Sequence, residues 1–170
     1  MRAIDDVPLT LQDEGVSDMP NLEHGAIGAR LARYLDAYVD EHKLGRVFTS
    51  QTTFTFVGTP PTRYPDLAFV KQARLPQRLR TVADFAPDLA VEVISENDAV
   101  NDVEEKVLQY HQSGVQLVWV IFPLRRRIYV RDSLTSVRVL LEKDELTGEP
   151  ALPGLRLPVA ALFAALAKPQ

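Results

Sequence analysis

A carboxylate within an apolar segment is the feature of this sequence most able to do chemistry. Glu92 lies in Pro87-Asp88-Leu89-Ala90-Val91-Glu92-Val93-Ile94-Ser95, which is otherwise typical of a buried strand. An ionised carboxylate in an apolar interior costs several kcal/mol unless it is hydrogen-bonded, paired with a cation or bound to a metal. Three candidate partners are Asp66 in the strand-like segment 64–70, Lys106 in the helix predicted after Glu92, and a divalent cation. Such a cation could join Asp66, Glu92 and Lys106 in one site.

Two acids and a lysine are residue types that suit phosphodiester hydrolysis. Carboxylate oxygens hold Mg²⁺ or Mn²⁺, the ion polarises the phosphate and acidifies a bound water, and the lysine steadies or helps to deprotonate that water. The chain has no cysteine, and its three histidines lack the H-E-x-x-H spacing of zinc enzymes. Any metal is therefore expected to have oxygen ligands.

Two amphipathic helices are predicted to position these residues. In the first, at 21–43, Asn21 can serve as N-cap and Gly45 follows the end. Glu23 falls at the edge of its apolar stripe, so it is a possible additional site residue, although a first-turn acid is also favoured by the helix dipole alone.

The second helix is predicted to begin near Asn101 with a capping box and to end at Ser113-Gly114. Asp102, Lys106 and Tyr110 are one turn apart on it, which directs one row of side chains toward the sheet. Each also has a structural interpretation: a helix-start acid, a lysine covering apolar surface, and a core tyrosine.

The strands complete an α/β pattern. Segments 46–50 and 52–57 are predicted to pair with each other, and further strands are predicted at 66–70, 89–95, 115–122, 127–131 and 136–141. A short helix is predicted at 159–167. We expect an irregular N-terminal arm at 1–20 and one α/β domain at 21–170, with a mixed β-sheet flanked by helices.

Composition limits the classes of function. The 170 residues have 46% hydrophobic content and a formal net charge of -4, which argues against nonspecific coating of nucleic acid. The sequence has neither an apolar run of about 20 residues nor the apolar core of a secretory signal, so we expect a cytoplasmic protein without a membrane partner. The most basic segment contains Lys71, Arg74, Arg78 and Arg80. These four are either phosphate contacts for nucleic acid or part of a solvated loop.

An ordered series of motifs is similar to the Uma-two family of the PD-(D/E)XK nuclease superfamily. It comprises Tyr64-Pro65-Asp66-Leu67-Ala68-Phe69-Val70, the Glu92 segment, Asp102 through Lys106 to Tyr110, and Gly114-Val115-Gln116-Leu117-Val118-Trp119-Val120. The likeness extends from Glu23-His24-Gly25 to Leu152-Pro153-Gly154-Leu155-Arg156-Leu157-Pro158, about nine-tenths of the chain. It implies a restriction-endonuclease-like core, divalent metal binding and nuclease activity, with Asp66 and Glu92 as the two motif acids.

One departure from the superfamily pattern concerns the lysine. That pattern places a lysine two residues after the second acid, where this chain has Ile94. In the family that this sequence resembles, the lysine lies on a D-x-x-x-K-x-x-x-Y helix, to which Asp102, Lys106 and Tyr110 correspond.

The leading hypothesis is a Mg²⁺- or Mn²⁺-dependent DNA endonuclease in which Asp66 and Glu92 bind the metal and Lys106 positions the attacking water. A homodimer is expected because duplex cleavage requires two scissions. The alternatives are a catalytically silent nuclease-fold protein with a binding or assembly role, in which Glu92 pairs with Lys106, and a hydrolase of RNA or of small phosphodiesters.

Overall fold

The computed structural model describes residues 21–95 and 98–167. The predicted arm at 1–20 and the last three residues of the predicted domain lie outside these ranges. Among the described helices, none combines the length and the apolar composition needed to cross a bilayer.

A six-stranded mixed sheet forms the centre of the fold. Its strand order is β1-β4-β5-β6-β7-β8, in which only β5 and β6 are parallel among these neighbours. The helices are α1 (Leu22–His42), α2 (Val100–Gln112) and α3 (Val159–Phe163). The strands are β1 (Gly45–Thr49), β2 (Phe54–Thr55), β3 (Thr62–Arg63), β4 (Leu67–Lys71), β5 (Leu89–Val93), β6 (Leu117–Phe122), β7 (Arg127–Arg131), β8 (Arg138–Leu140), β9 (Glu145–Thr147) and β10 (Arg156–Pro158). The predicted fold class, α/β with a mixed sheet flanked by helices, is confirmed.

Helix α1 follows the predicted apolar spacing and N-cap. The Asn21 side chain accepts a hydrogen bond from the backbone N–H of His24 at 2.9 Å. The helix end differs from the prediction, because Lys43 takes the left-handed conformation with φ of 55°. Gly45 instead begins β1, where a Cβ atom would lie 2.0 Å from the carbonyl oxygen of Val70. Close approach of β1 and β4 therefore requires this glycine.

The predicted pairing of 46–50 with 52–57 is wrong. β1 pairs with β4, whereas β2 forms a short hairpin with β3. The chain reverses direction at Gly58, whose φ of 95° suits a residue without Cβ. The hairpin β2–β3 consequently precedes Asp66 directly and lies against α2, where Phe56 contacts Tyr110 with ring centroids 4.9 Å apart.

Helix α2 begins one residue earlier than predicted. Its N-cap is Ala99, which makes no side-chain capping bond, so the capping box expected at Asn101 is wrong. Asn101 lies inside the first turn, where its side chain cannot serve as an N-cap. The end agrees with prediction, since Gly114 has φ of 87°.

Buried side chains lie on both faces of the sheet. Helices α1 and α3 pack against Val91 and Val93 on one face. Helix α2 and the hairpin β2–β3 pack against Ala90 on the other. Because strand side chains alternate, Glu92 projects toward the α2 face. The end of β5 is thus within reach of residues from both helical layers.

Candidate active site

Asp66 and Glu92 meet where β4 begins and β5 ends. These strands are antiparallel, with Leu67 opposite Val91. Asp66 precedes β4 directly, and its Oδ2 accepts a hydrogen bond from the backbone N–H of Val93 at 2.7 Å. Two acids separated by 26 positions in the sequence are thereby brought to one rim of the sheet.

Glu92 is 5% exposed, and α2 provides a donor for each of its carboxylate oxygens. The Tyr110 hydroxyl donates to Oε1 at 2.5 Å, and the Lys106 ammonium donates to Oε2 at 2.9 Å. Lys106 and Tyr110 are one helical turn apart, so both reach the same carboxylate. The structure thus brings Asp66, Glu92, Lys106 and Tyr110 together.

Electrostatics at Glu92 favour a cationic neighbour. Burial raises the pKa of Glu92 above its ordinary value, against the lowering effects of Lys106 and the Tyr110 hydroxyl. Burial alone would lower the pKa of Lys106, but the Glu92 carboxylate outweighs it, so this pKa is raised. The carboxylate of Glu92 therefore favours the ammonium form of Lys106, which donates the hydrogen bond between them.

The side chain that α1 brings to Asp66 is His24. Its Nε2 lies 3.1 Å from Asp66 Oδ1, and the bond with Asp66 raises the His24 pKa more than burial lowers it. The sequence predicted Glu23 as the additional site residue of this helix, but Glu23 is exposed. Glu23 instead lines an adjacent cavity of about 170 Å³ with Ser95 and Arg125. The weak signal for His24 was its position in the first turn beside the buried stripe.

Asp102, the third residue of the predicted helical row, does not join the cluster. It is exposed in the first turn of α2, and within the described residues it makes no side-chain hydrogen bond to Lys106 or Glu92. A carboxylate at this end of a helix is favoured by the helix dipole. Its placement is thus explained without chemistry.

The predicted phosphate-binding segment begins at the other end of the strands. Five residues at about 3.3 Å each place Lys71 about 17 Å from Asp66. The Lys71 ammonium donates to Gln116 Oε1 at 2.7 Å. Arg78 and Arg80 are exposed, and a role for them in nucleic-acid binding stays a prediction.

Arg74 has a structural partner that sequence reasoning did not assign. Its guanidinium lies 3.0 Å from the carboxylate of Asp88, which is 1% exposed, and donates to the carbonyl oxygen of Ala86 at 2.7 Å. Asp88 also accepts from the backbone N–H of Lys71 at 2.9 Å. Arg74 therefore compensates a buried acid, and because its side chain is also exposed, its role as a phosphate contact stays a prediction.

Comparison with known proteins agrees with this architecture. The sequence matches the family model Uma2, described as "Putative restriction endonuclease", over residues 6–160. The chain belongs to the Uma2 family. A similar solved structure, described as a "putative nuclease belonging to DUF820" from Anabaena variabilis, has 22% sequence identity and a TM-score of 0.77. The alignment covers 88% of this chain and 84% of that one, and it shows the shared fold. Among curated proteins, none matches the sequence.

The donor set of this Uma2 protein fits a small hard cation. Among the described residues, no group of three or more His, Asp or Glu side chains is arranged to hold a metal. Mg²⁺ nevertheless needs only one or two protein carboxylates, because it keeps several waters and takes further oxygens from a substrate phosphate. Each carboxylate oxygen of Asp66 and Glu92 retains a second lone pair beyond its hydrogen bond.

Proposed function

We propose that this Uma2 protein is a metal-dependent endonuclease that hydrolyses phosphodiester bonds of DNA. The observation that carries the proposal is the convergence of Asp66, Glu92 and Lys106 at one rim of the sheet. Family membership and the shared fold with a protein described as a nuclease support the same reaction class.

Asp66 and Glu92 would hold Mg²⁺ or Mn²⁺. When bound, such an ion supplies Lewis-acid stabilisation of the phosphate and lowers the pKa of coordinated water. The raised pKa of Glu92 is consistent with this role, because a nearby cation would offset the cost of its buried charge.

The remaining side chains hold these acids in place and supply donors. Tyr110 fixes the Glu92 carboxylate through Oε1, and His24 holds Asp66 through Oδ1. The Lys106 ammonium is suited to hold an attacking water or a phosphate oxygen by hydrogen bonding.

Cleavage of supercoiled plasmid DNA by the purified protein tests the proposal. We expect nicked or linear product with Mn²⁺ or Mg²⁺, no product in EDTA, and at least a hundredfold loss of rate in Asp66→Ala, Glu92→Ala and Lys106→Met. Lys143→Met, which replaces an exposed lysine, serves as a control for altered charge. Undiminished cleavage by all three site variants would reject the assignment, and cleavage of RNA alone would redirect it to another phosphodiester.

One observation favours a second candidate, a catalytically silent nuclease-fold protein with a binding or assembly role. Each of the four carboxylate oxygens of Asp66 and Glu92 already lies within bonding distance of a donor group from the chain itself. Such a cluster can persist without a metal, as buried acids with sufficient partners do. Absence of cleavage together with absence of metal binding would favour this candidate.

The expected homodimer also remains a proposal. A domain with one such site makes one scission at a time, so cutting both strands in one event requires two copies. Sedimentation of the protein with and without duplex DNA would measure the oligomeric state.

A further inference from the structure

Arg63 is a cation beside the acid cluster that the proposed mechanism does not use. It ends β3, three residues before Asp66, and its side chain is half-buried. Its Nε donates to the side chain of Gln109, which directly precedes Tyr110 in α2. The guanidinium is thus bonded to the neighbour of the tyrosine whose hydroxyl donates to Glu92.

Gln109 fixes the direction of this arginine. The Gln109 side chain is 6% exposed, and its Oε1 accepts a hydrogen bond from Arg63 Nε. Its Nε2 donates to the carbonyl oxygens of Val57 and Pro60, at 3.0 and 2.6 Å. With both ends engaged, the amide has one orientation, and it holds Arg63 by the nitrogen nearest the aliphatic chain.

The two terminal amino groups of Arg63 remain available. Among the described residues, neither donates a hydrogen bond or pairs with a carboxylate, and neither is buried without a partner. Two parallel N–H groups on a planar guanidinium match the geometry of two phosphate oxygens. A half-buried arginine held at Nε loses less side-chain entropy on binding than a free surface lysine or arginine.

The geometry points to Arg63 as the residue that binds a backbone phosphate of the nucleic-acid substrate next to the acid cluster, with Gln109 as its positioning residue. This inference rests on the proposed function and names a substrate contact for the same site. It adds a phosphate contact on the hairpin β2–β3 to those predicted for Arg78 and Arg80.

Binding of a fluorescently labelled 20-base-pair duplex in EDTA, followed by anisotropy over a range of salt concentrations, tests the inference without cleavage. We expect Arg63→Gln to weaken binding about tenfold and to reduce the slope of log affinity against log salt by about one, as loss of one phosphate contact does. Arg63→Lys should restore the slope but only part of the affinity, because an ammonium lacks the paired donors. Arg46→Gln removes an exposed arginine at the Lys71 end of β1 and is the matched control, with binding expected to be unchanged.

A double-mutant cycle separates positioning by Gln109 from general support of the fold. Gln109→Met should weaken DNA binding in the native background but have no further effect on binding in the Arg63→Gln background. Thermal stability should fall in both backgrounds, because the amide also bonds the hairpin backbone. Equal losses of binding in the two backgrounds would overturn the positioning role.

Failure of the Arg63 inference and failure of the nuclease proposal would give different results. If the protein cleaves DNA while Arg63→Gln and Arg46→Gln bind the duplex alike, the Arg63 inference is wrong and the nuclease proposal stands. If the unaltered protein neither binds nor cleaves nucleic acid, both are overturned.

Discussion

At the scale of single residues, the candidate site consists of groups whose burial would be costly without their partners. Glu92 is the clearest case, since a carboxylate that is 5% exposed has a lysine on one oxygen and a tyrosine on the other. Asp66 is held by the backbone N–H of Val93 and by His24. Hydrogen bonds to every carboxylate oxygen stabilise this cluster of polar groups and fix its geometry.

Adjacent residues of α1 provide a matched test of which side chain supports the site. We expect His24→Ala to lower the rate of DNA cleavage about tenfold, because groups that orient a metal-binding carboxylate typically contribute that much. Glu23→Ala, which removes an exposed acid, should leave the rate within about twofold. A larger loss in Glu23→Ala than in His24→Ala would show that the sequence-based choice of Glu23 was the better one.

His111 makes stability depend on pH. Its Nδ1 lies 3.0 Å from the carbonyl oxygen of Val115, and burial lowers its pKa from the ordinary 6.5. The unfolded chain therefore takes up a proton first as the pH falls, so stability present above pH 6.5 is lost between that pH and the lowered folded-state pKa.

Urea unfolding of the native protein and of His111→Gln, from pH 8 to pH 5, measures this contribution. We expect the native protein to lose more unfolding free energy than the variant as the pH falls below about 6.5. Parallel stability profiles for the two proteins would contradict the assignment.

At the scale of elements, β5 has a buried acid near each end. Asp88 directly precedes the strand and pairs with Arg74, whereas Glu92 near its end pairs with Lys106. The Asp88–Arg74 pair holds the segment that follows β4 against the strand, and the Glu92–Lys106 pair holds α2. One strand thus serves as the attachment point for a loop at one end and for the candidate site at the other.

Removal of Asp88 tests the role of this first pair. Asp88→Ala removes the acceptor of both the Lys71 backbone N–H and the Arg74 guanidinium, so we expect a loss of about 2 kcal/mol in unfolding free energy and faster trypsin cleavage at Arg78 and Arg80. Asp84→Ala, which removes an exposed acid of the same segment, should change neither quantity. Equal protease resistance in the two variants would contradict the role of the Asp88–Arg74 pair in holding this segment.

The elements that sequence could predict were those with repeated local signals. The spacing of Ile27, Leu31 and Leu35 predicted α1, and the apolar run around Glu92 predicted β5. The Lys106–Glu92 contact was predictable because a buried carboxylate needs a cation and helical spacing provided one. Each of these inferences required only one element and one neighbour.

The remaining features depend on contacts that local patterns do not encode. The pairing of β2 with β3 depends on which of several strands are neighbours in the fold. Gln109, which bonds Arg63, has the local pattern of an ordinary helix residue. The capping box at Asn101 fitted a motif, but α2 starts one residue earlier, with Ala99 as an N-cap that makes no side-chain bond. His24 and its partner Asp66 are 42 positions apart in the sequence, so no local pattern links them.

At the scale of the whole molecule, the candidate site is the place where both helical layers reach the rim of the sheet. His24 comes from α1 on one face, and Lys106 and Tyr110 come from α2 on the other. Both α1 and α2 must therefore be packed on the sheet for the site to exist. We infer that loss of activity and loss of folding are coupled for substitutions in either helix core.

The distribution of charge over the molecule gives the two ends of the sheet different roles. Lys71 and Arg74 are engaged by Gln116 and Asp88 at one end, about 17 Å from Asp66, and the further cations Arg46, Arg78 and Arg80 are exposed. The end with Asp66 and Glu92 has the free guanidinium face of Arg63 beside it. Substrate is therefore expected to approach the rim from the side of the hairpin β2–β3.

Calorimetric titration of the metal-free protein with Mn²⁺ tests the central claim most directly, because it asks whether Asp66 and Glu92 share one cation. The account predicts one Mn²⁺ per chain, with binding lost in Asp66→Ala and in Glu92→Ala and retained in Asp36→Ala, which removes an exposed acid of α1. Absence of Mn²⁺ binding at millimolar concentration, or equal binding by Asp66→Ala and Asp36→Ala, would contradict it.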